Sequence, residues 1–212
     1  MPDAFKNLIN ADTVAQIGTQ LKRVWPRFDR RRFQTLALDG LDALEFKARA
    51  QHLCRALEAT LPADFDAAAD LIEASLAPTL PGDSLAGLRS GSSGLAGWAV
   101  WPLAEYVARR GLASPERALA TLHALTQRHT AEWALRTYIE AHPTLTFATL
   151  ARWSGDASPH VRRLVSEGSR PRLPWGLQLR GLIADPRPTL PLLAALQDDP
   201  SAYVRRSVAN HL

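Results

Sequence analysis

Trp101 and Glu105 lie four residues apart in the run Trp98-Ala-Val-Trp101-Pro-Leu-Ala-Glu105-Tyr-Val107. Proline lacks an N–H and fits the first turn of a helix, where that donor is not needed. The spacing therefore predicts a helix that sets both side chains on one face. An indole face attracts positive charge, and a carboxylate beside it neutralises that charge. Together they make a site for a cation. The plainer alternative is that Trp98 and Trp101 are core and Glu105 pairs with an arginine, and composition alone favours it.

Two further groups could carry chemistry. Asp156, in Trp153-Ser-Gly-Asp156, precedes a helix start, where an anion is favoured by the helix dipole; it is the second candidate carboxylate. Trp153 has Leu196 at the position 43 residues on, so it is either a core substitution or an addition specific to a site. The second group is basic: Arg136, Arg162, Arg163, Arg170, Arg172, Arg205 and Arg206. Arginine offers a planar fork that grips phosphate through two N–H donors. Within each Arg-Arg pair the side chains diverge by about 100° around a helix, so one is expected to face a ligand and the other to brace the fold.

Charge supports a polyanionic partner, nucleic acid first. The chain of 212 residues carries a net charge of +4, and residues 1–112, 113–149 and 191–212 each balance. Between 150 and 190 stand seven arginines against Asp156, Glu167 and Asp185, so the whole excess sits there. The stretch from Lys22 to Phe33 also mixes bases with aromatics, but reads as a solvated helix edge. Six histidines show no metal spacing, and the single cysteine, Cys54, excludes an internal disulfide and a thiolate cluster. Gly91-Ser-Ser-Gly94-Leu-Ala-Gly97 lacks the strand and Gly-Lys-Ser/Thr of a phosphate loop. It reads as a flexible connection.

The elements that must position these residues are helical. Apolar residues recur at three-to-four spacing around Leu41, Leu44, Ala48 and Leu53, and again at Phe65, Ala69, Ile72 and Leu76. Ser114-Pro115 and Ser158-Pro159 read as N-caps with proline first in the helix. Asp156-Ala-Ser-Pro-His-Val-Arg162-Arg163-Leu-Val165 then returns 43 residues later as Asp199-Pro-Ser-Ala-Tyr-Val-Arg205-Arg206-Ser-Val208. Helices are expected upstream of each, at 144–153 and 188–197, and an earlier pair at 115–127 and 130–141. Helix pairs at this period are the mark of HEAT-like or armadillo-like solenoids, in which stacking buries faces no single pair can bury. The expected architecture is all-α, an α-α superhelix of HEAT-like repeats with a concave basic face. Residues 1–90 form an N-terminal helical region, and 91–212 hold the repeats and the site. Residues 169–187 break the period as an insertion carrying Trp175. The sequence stops inside a helix that should continue, so a longer polypeptide is expected.

The longest near-apolar run, Leu95 to Ala104, is half the roughly 20 residues of a membrane span, and the N-terminus has no signal-peptide pattern. A cytosolic monomer that does not touch membrane is expected.

The run His160-Val-Arg-Arg-Leu-Val-Ser-Glu-Gly-Ser-Arg170-Pro-Arg172-Leu-Pro-Trp175, with Asp199 to Asn210 and Trp98 to Val107, closely resembles the AlkC-type DNA alkylation repair proteins. The likeness covers most of residues 90–212; the first 90 match in general character only. It implies a HEAT-like-repeat DNA glycosylase that removes cationic N-alkylated bases, such as 3-methyladenine and 3-methylcytosine, from duplex DNA without metal or organic cofactor. Sister AlkD-type enzymes carry a catalytic Trp-x-x-x-Asp motif, which Trp101-Pro-Leu-Ala-Glu105 looks like with Glu for Asp. The resemblance thus makes Glu105 the first catalytic candidate and Asp156 the second. Trp101, Trp153 and Trp175 would touch the cationic base or sugar, and the seven arginines DNA phosphates. Relatives continue past Asn210 with further repeats, some with an immunoglobulin-like domain. The competing expectation is a non-catalytic scaffold that binds DNA or protein.

Overall fold

A computed structural model describes residues 5–85 and 87–212. Twelve α-helices and no strand occur among them: α1 (Ala11–Val24), α2 (Arg30–Leu38), α3 (Phe46–Glu58), α4 (Phe65–Ala74), α5 (Val100–Arg110), α6 (Pro115–Thr126), α7 (Glu132–Ala141), α8 (Pro143–Trp153), α9 (Pro159–Gly168), α10 (Arg180–Ala184), α11 (Leu190–Leu196) and α12 (Ala202–His211).

Local chemistry explains most of the helix starts. Asn10 and Thr13 form a reciprocal capping box on α1, and Asp29 and Asp64 accept backbone N–H bonds at the starts of α2 and α4. Proline opens α6, α8 and α9. Ser114 and Ser158 occupy the N-cap positions, yet neither side chain caps its helix. The Ser158 N–H instead donates to Asp156 Oδ1 at 2.7 Å, and 43 residues on the Ser201 N–H donates to Asp199 Oδ1 at 2.8 Å. The repeated aspartate, two residues upstream, holds the turn.

Alternate helices stack in a row: α3 on α5, α5 on α7, α7 on α9 and α9 on α12. On the other side α1 meets α4, α4 meets α6, and α8 meets α11. One apolar core runs between these layers, from Ile9 through Leu53, Val107, Leu135 and Leu164 to Val204. Each such leucine or valine contributes about 2 kcal/mol by leaving water. Gly111 shows how close the packing is, because a Cβ there would stand 2.6 Å from both Phe65 Cζ and Tyr138 Oη. The Tyr138 hydroxyl donates to Val107 O at 2.6 Å and ties α7 to α5.

The expected helix pairs appear as α6/α7, α8/α9 and α11/α12, which makes the protein an all-α helical-repeat structure. Polar bonds join the last two pairs. Arg162 grips Asp199 with Nε at 2.6 Å and Nη2 at 3.0 Å, and Ser166, Ser207 and Glu167 form a buried chain. The insertion at 169–187 is a loop followed by the single-turn α10.

Candidate active site

Helix α5 carries Trp101 in its first turn and Glu105 one turn later, so the indole N–H reaches Glu105 Oε1 at 3.1 Å. Trp101 is 1% exposed, while Glu105 reaches the surface in part. Burial pushes the Glu105 carboxyl above its usual range, opposed by the Trp101 hydrogen bond and by the charges of Lys47 and Arg109. It is a carboxylate taken largely out of water but kept beside cations.

Aromatic rings surround this helix turn. Phe46, at the start of α3, meets Trp98 at 5.1 Å, Trp101 at 4.9 Å and Trp175 at 5.9 Å between ring centroids. Trp133 of α7 lies 4.5 Å from Trp101 and 6.4 Å from Trp175. His129 packs on Trp98 at 4.4 Å, and burial pushes its imidazole down to about 4, so it is neutral near pH 7. Its Nε2 is buried without a hydrogen-bond partner. With Phe46 and Trp133 against it, Trp101 has no open face for a ligand. The expected direct cation contact gives way to a role in holding Glu105, whereas Trp175 is 56% exposed and does present a face.

The glycine-rich connection before α5 is a built turn rather than a flexible link. Gly91 and Gly94 exchange backbone hydrogen bonds, and the Leu95 N–H reaches Ser75 O at 2.9 Å. Gly97 sits at φ +64°, with its N–H on Arg128 O at 2.9 Å. That left-handed position requires glycine, and the turn delivers Trp98 to the cluster.

Asp156 and Trp153 belong to a different cluster. Asp156 Oδ2 lies 2.8 Å from His123 Nε2, and the His123 ring lies 5.3 Å from Trp153. With its other oxygen on the Ser158 N–H, Asp156 is occupied in turn formation, as Asp199 is in the next repeat. Trp153 lines a cavity of about 280 Å³ with His123, Arg152 and Glu116.

The seven arginines divide by environment. Arg136 is wholly buried and donates to four backbone carbonyls, which leaves no fork for a phosphate. Arg163 lies between Glu132 and Glu167 and over the Tyr203 ring. Arg162 is committed to Asp199, and Arg170 donates to Glu167 Oε1 at 2.6 Å. Arg172, Arg205 and Arg206 are exposed. Arg205 leans on the Asp199 and Pro200 carbonyls, as Arg162 does on those of Asp156 and Ala157. The expected split within each Arg-Arg pair does not occur: Arg162 and Arg163 are both ion-paired into the fold, and Arg205 and Arg206 are both exposed, Arg205 resting on backbone carbonyls.

Sequence reasoning missed Phe46, Lys47, His129 and the stacking role of Trp133. Phe46 and Lys47 come from the segment set apart as an N-terminal region, so the site draws on both sides of that boundary. Only their place on α3, stacked directly on α5, brings them in. Among the described residues, no group of three His, Cys, Asp or Glu is placed to hold a metal, and no helix is long and apolar enough to cross a membrane.

No family model matches the chain. It is 36% identical over 208 residues to the uncharacterized protein YhaZ of Bacillus subtilis (strain 168), an alignment covering 98% of this chain and 54% of that protein. Among solved structures it is similar to the alkylpurine DNA glycosylase AlkC of Pseudomonas fluorescens, which was determined bound to DNA containing an abasic site analog. The TM-score is 0.87 at 33% identity, over 100% of this chain and 55% of that one. The chain spans about half the length of both. Matched from end to end in fold and at a third of its residues, the chain is similar to the AlkC-type helical-repeat proteins over about half of their length.

Proposed function

We propose that the protein is a DNA glycosylase that hydrolyses the N-glycosidic bond of cationic N-alkylated bases, such as 3-methyladenine and 3-methylcytosine, in duplex DNA. The observation that carries this reading is the Trp101–Glu105 pair. A mostly buried carboxylate, oriented by an indole N–H and ringed by aromatics, sits in a chain whose fold matches an alkylpurine DNA glycosylase.

The chemistry asks little of the protein. An N3-methylated base already bears positive charge, so its bond to C1′ weakens without protonation. As that bond breaks, its electron pair stays with the base, which leaves neutral, and positive charge moves to the sugar. Glu105, in low-dielectric surroundings, stabilises the oxocarbenium-like sugar. It also takes the proton of the water whose oxygen bonds to C1′. The products are a free base and an abasic site. The exposed face of Trp175 attracts the cationic base or sugar.

Arg172, Arg205 and Arg206 bind the backbone through phosphate and carry no sequence information. The protein works as a cytosolic monomer on the chromosome. The test is release of methylated bases from duplex DNA treated with dimethyl sulfate, without added metal. Release is expected; none, with salt-sensitive DNA binding retained, would make the protein a binding scaffold.

A further inference from the structure

We infer that Arg136 is a positioning residue: from inside the core it sets the loop that places Trp175 over the site. The inference rests on the glycosylase reading for its consequence in catalysis, but its structural claim stands apart from that reading.

The loop between α9 and α10 has no regular structure to hold it, and Trp175 has a backbone φ of +61°. A bulky non-glycine residue in the left-handed region costs about 1 kcal/mol or more and persists only where its surroundings over-determine it. Arg136 supplies that determination. Its Nε donates to Leu177 O at 2.5 Å, Nη1 to Gly168 O at 3.0 Å and Arg170 O at 2.6 Å, and Nη2 to Pro171 O at 3.1 Å. One rigid fork thus holds both ends of the loop.

Two more bonds fix the tip. Trp133 Nε1 donates to Pro174 O at 3.1 Å, and Lys47 Nζ to Trp175 O at 2.9 Å. Trp133 and Arg136 sit one turn apart on α7, so that helix holds the loop along its length while α3 reaches it from the other side. Gly176 packs directly on the arginine, where a Cβ would lie 3.2 Å from Arg136 Cδ and Nε.

A buried guanidinium is costly, and burial pushes Arg136 down to about 10. The carbonyls supply acceptors but no compensating full charge. Lysine keeps the charge yet cannot reach four carbonyls in one plane. The arrangement therefore specifies a fork, and what it builds is an exposed indole beside Phe46 and Trp133.

The experiment compares Arg136→Lys, Gly176→Ala, Trp175→Ala and the Arg136→Lys/Trp175→Ala double variant. Amide hydrogen exchange is measured across 168–179 in the protein without DNA, and single-turnover excision on methylated duplex. Arg136→Lys and Gly176→Ala are expected to speed exchange of the Gly176 and Leu179 amides, which donate to Leu173 O and Pro171 O, at least 10-fold while α5 and α12 stay as in wild type. Each should cut excision about 10-fold, to the level of Trp175→Ala, with no further loss in the double variant. Wild-type exchange in the loop of either variant would overturn the inference, whether or not the protein excises bases. So would an excision loss that adds to that of Trp175→Ala. If Arg136→Lys fails to fold, Gly176→Ala, whose added Cβ presses on Arg136 Cδ and Nε while leaving the guanidinium in place, decides alone. Absence of excision by the wild type would count against the glycosylase reading, with the exchange result still deciding the role of Arg136.

Discussion

Trp101 and Glu105 are joined by a single hydrogen bond of 3.1 Å within one turn of α5, the indole sealed from solvent and the carboxylate at its edge. The bond fixes which oxygen of Glu105 remains available, and favours the ionised form against the pull of burial. Trp101→Phe keeps the ring packing and removes the donor. The loss of a hydrogen bond to a charged acceptor is worth about 1.5 kcal/mol, or roughly 10-fold in rate. Excision is expected to fall by about that factor, and its acid limb to move to higher pH; a pH–rate profile of single-turnover excision checks both.

Lys47 acts on the same carboxylate from α3. Its charge favours ionised Glu105, so Lys47→Met should raise the carboxyl further. On the proposed mechanism ionised Glu105 is the active form, so activity should be lost as pH falls through that raised value. The variant's acid limb should therefore lie above that of wild type, at unchanged high-pH activity apart from any effect of freeing Trp175 O.

The arginines predicted alike from sequence should separate on mutation. Arg162→Ala leaves Asp199, whose side chain is 3% exposed, without its partner between two repeats. Stranding a buried charge costs about 3 kcal/mol, which urea unfolding would register. Arg206→Ala should leave stability within about 0.5 kcal/mol and lower the slope of log affinity for duplex DNA against log salt by about 1.

Folding stability should decline in mild acid, and His129 is a named cause. Its folded value of about 4 lies below the ordinary 6.5, so the unfolded chain takes up the proton first. Its contribution is complete above pH 6.5 and is lost as pH falls from 6.5 towards 4. His160 and His211, also lowered by burial, add in the same direction. Replacing His129 with Gln should flatten this decline by up to about 3 kcal/mol, measured as unfolding free energy against pH.

The helices, the repeat and the pairing of Trp101 with Glu105 were legible because each is written in local spacing: periods of three to four residues, an offset of 43, a proline in a first turn. What the arginines do was not. Arg136 and Arg206 were read alike as phosphate ligands, yet one is wholly buried on carbonyls and the other exposed. The difference lies in which element stacks next, and that is set by tertiary packing. Asp156 was readable as an anion at a helix start, and its bond to the Ser158 N–H, matched by Asp199 on the Ser201 N–H, places it there. Phe46 left no local signal, since its closeness to Trp101 depends on α3 packing against α5 across more than 50 residues.

Glu105→Gln tests the central claim most directly. The carboxyl is raised by burial, so charging it lowers folding stability as pH climbs above 4.5. The variant should be at least as stable as wild type at pH 7. On dimethyl-sulfate-treated duplex without added metal, it should bind with unchanged affinity and salt dependence while base release falls by about 100-fold or more. Release by Glu105→Gln at the wild-type rate would contradict the account and remove Glu105 from the chemistry.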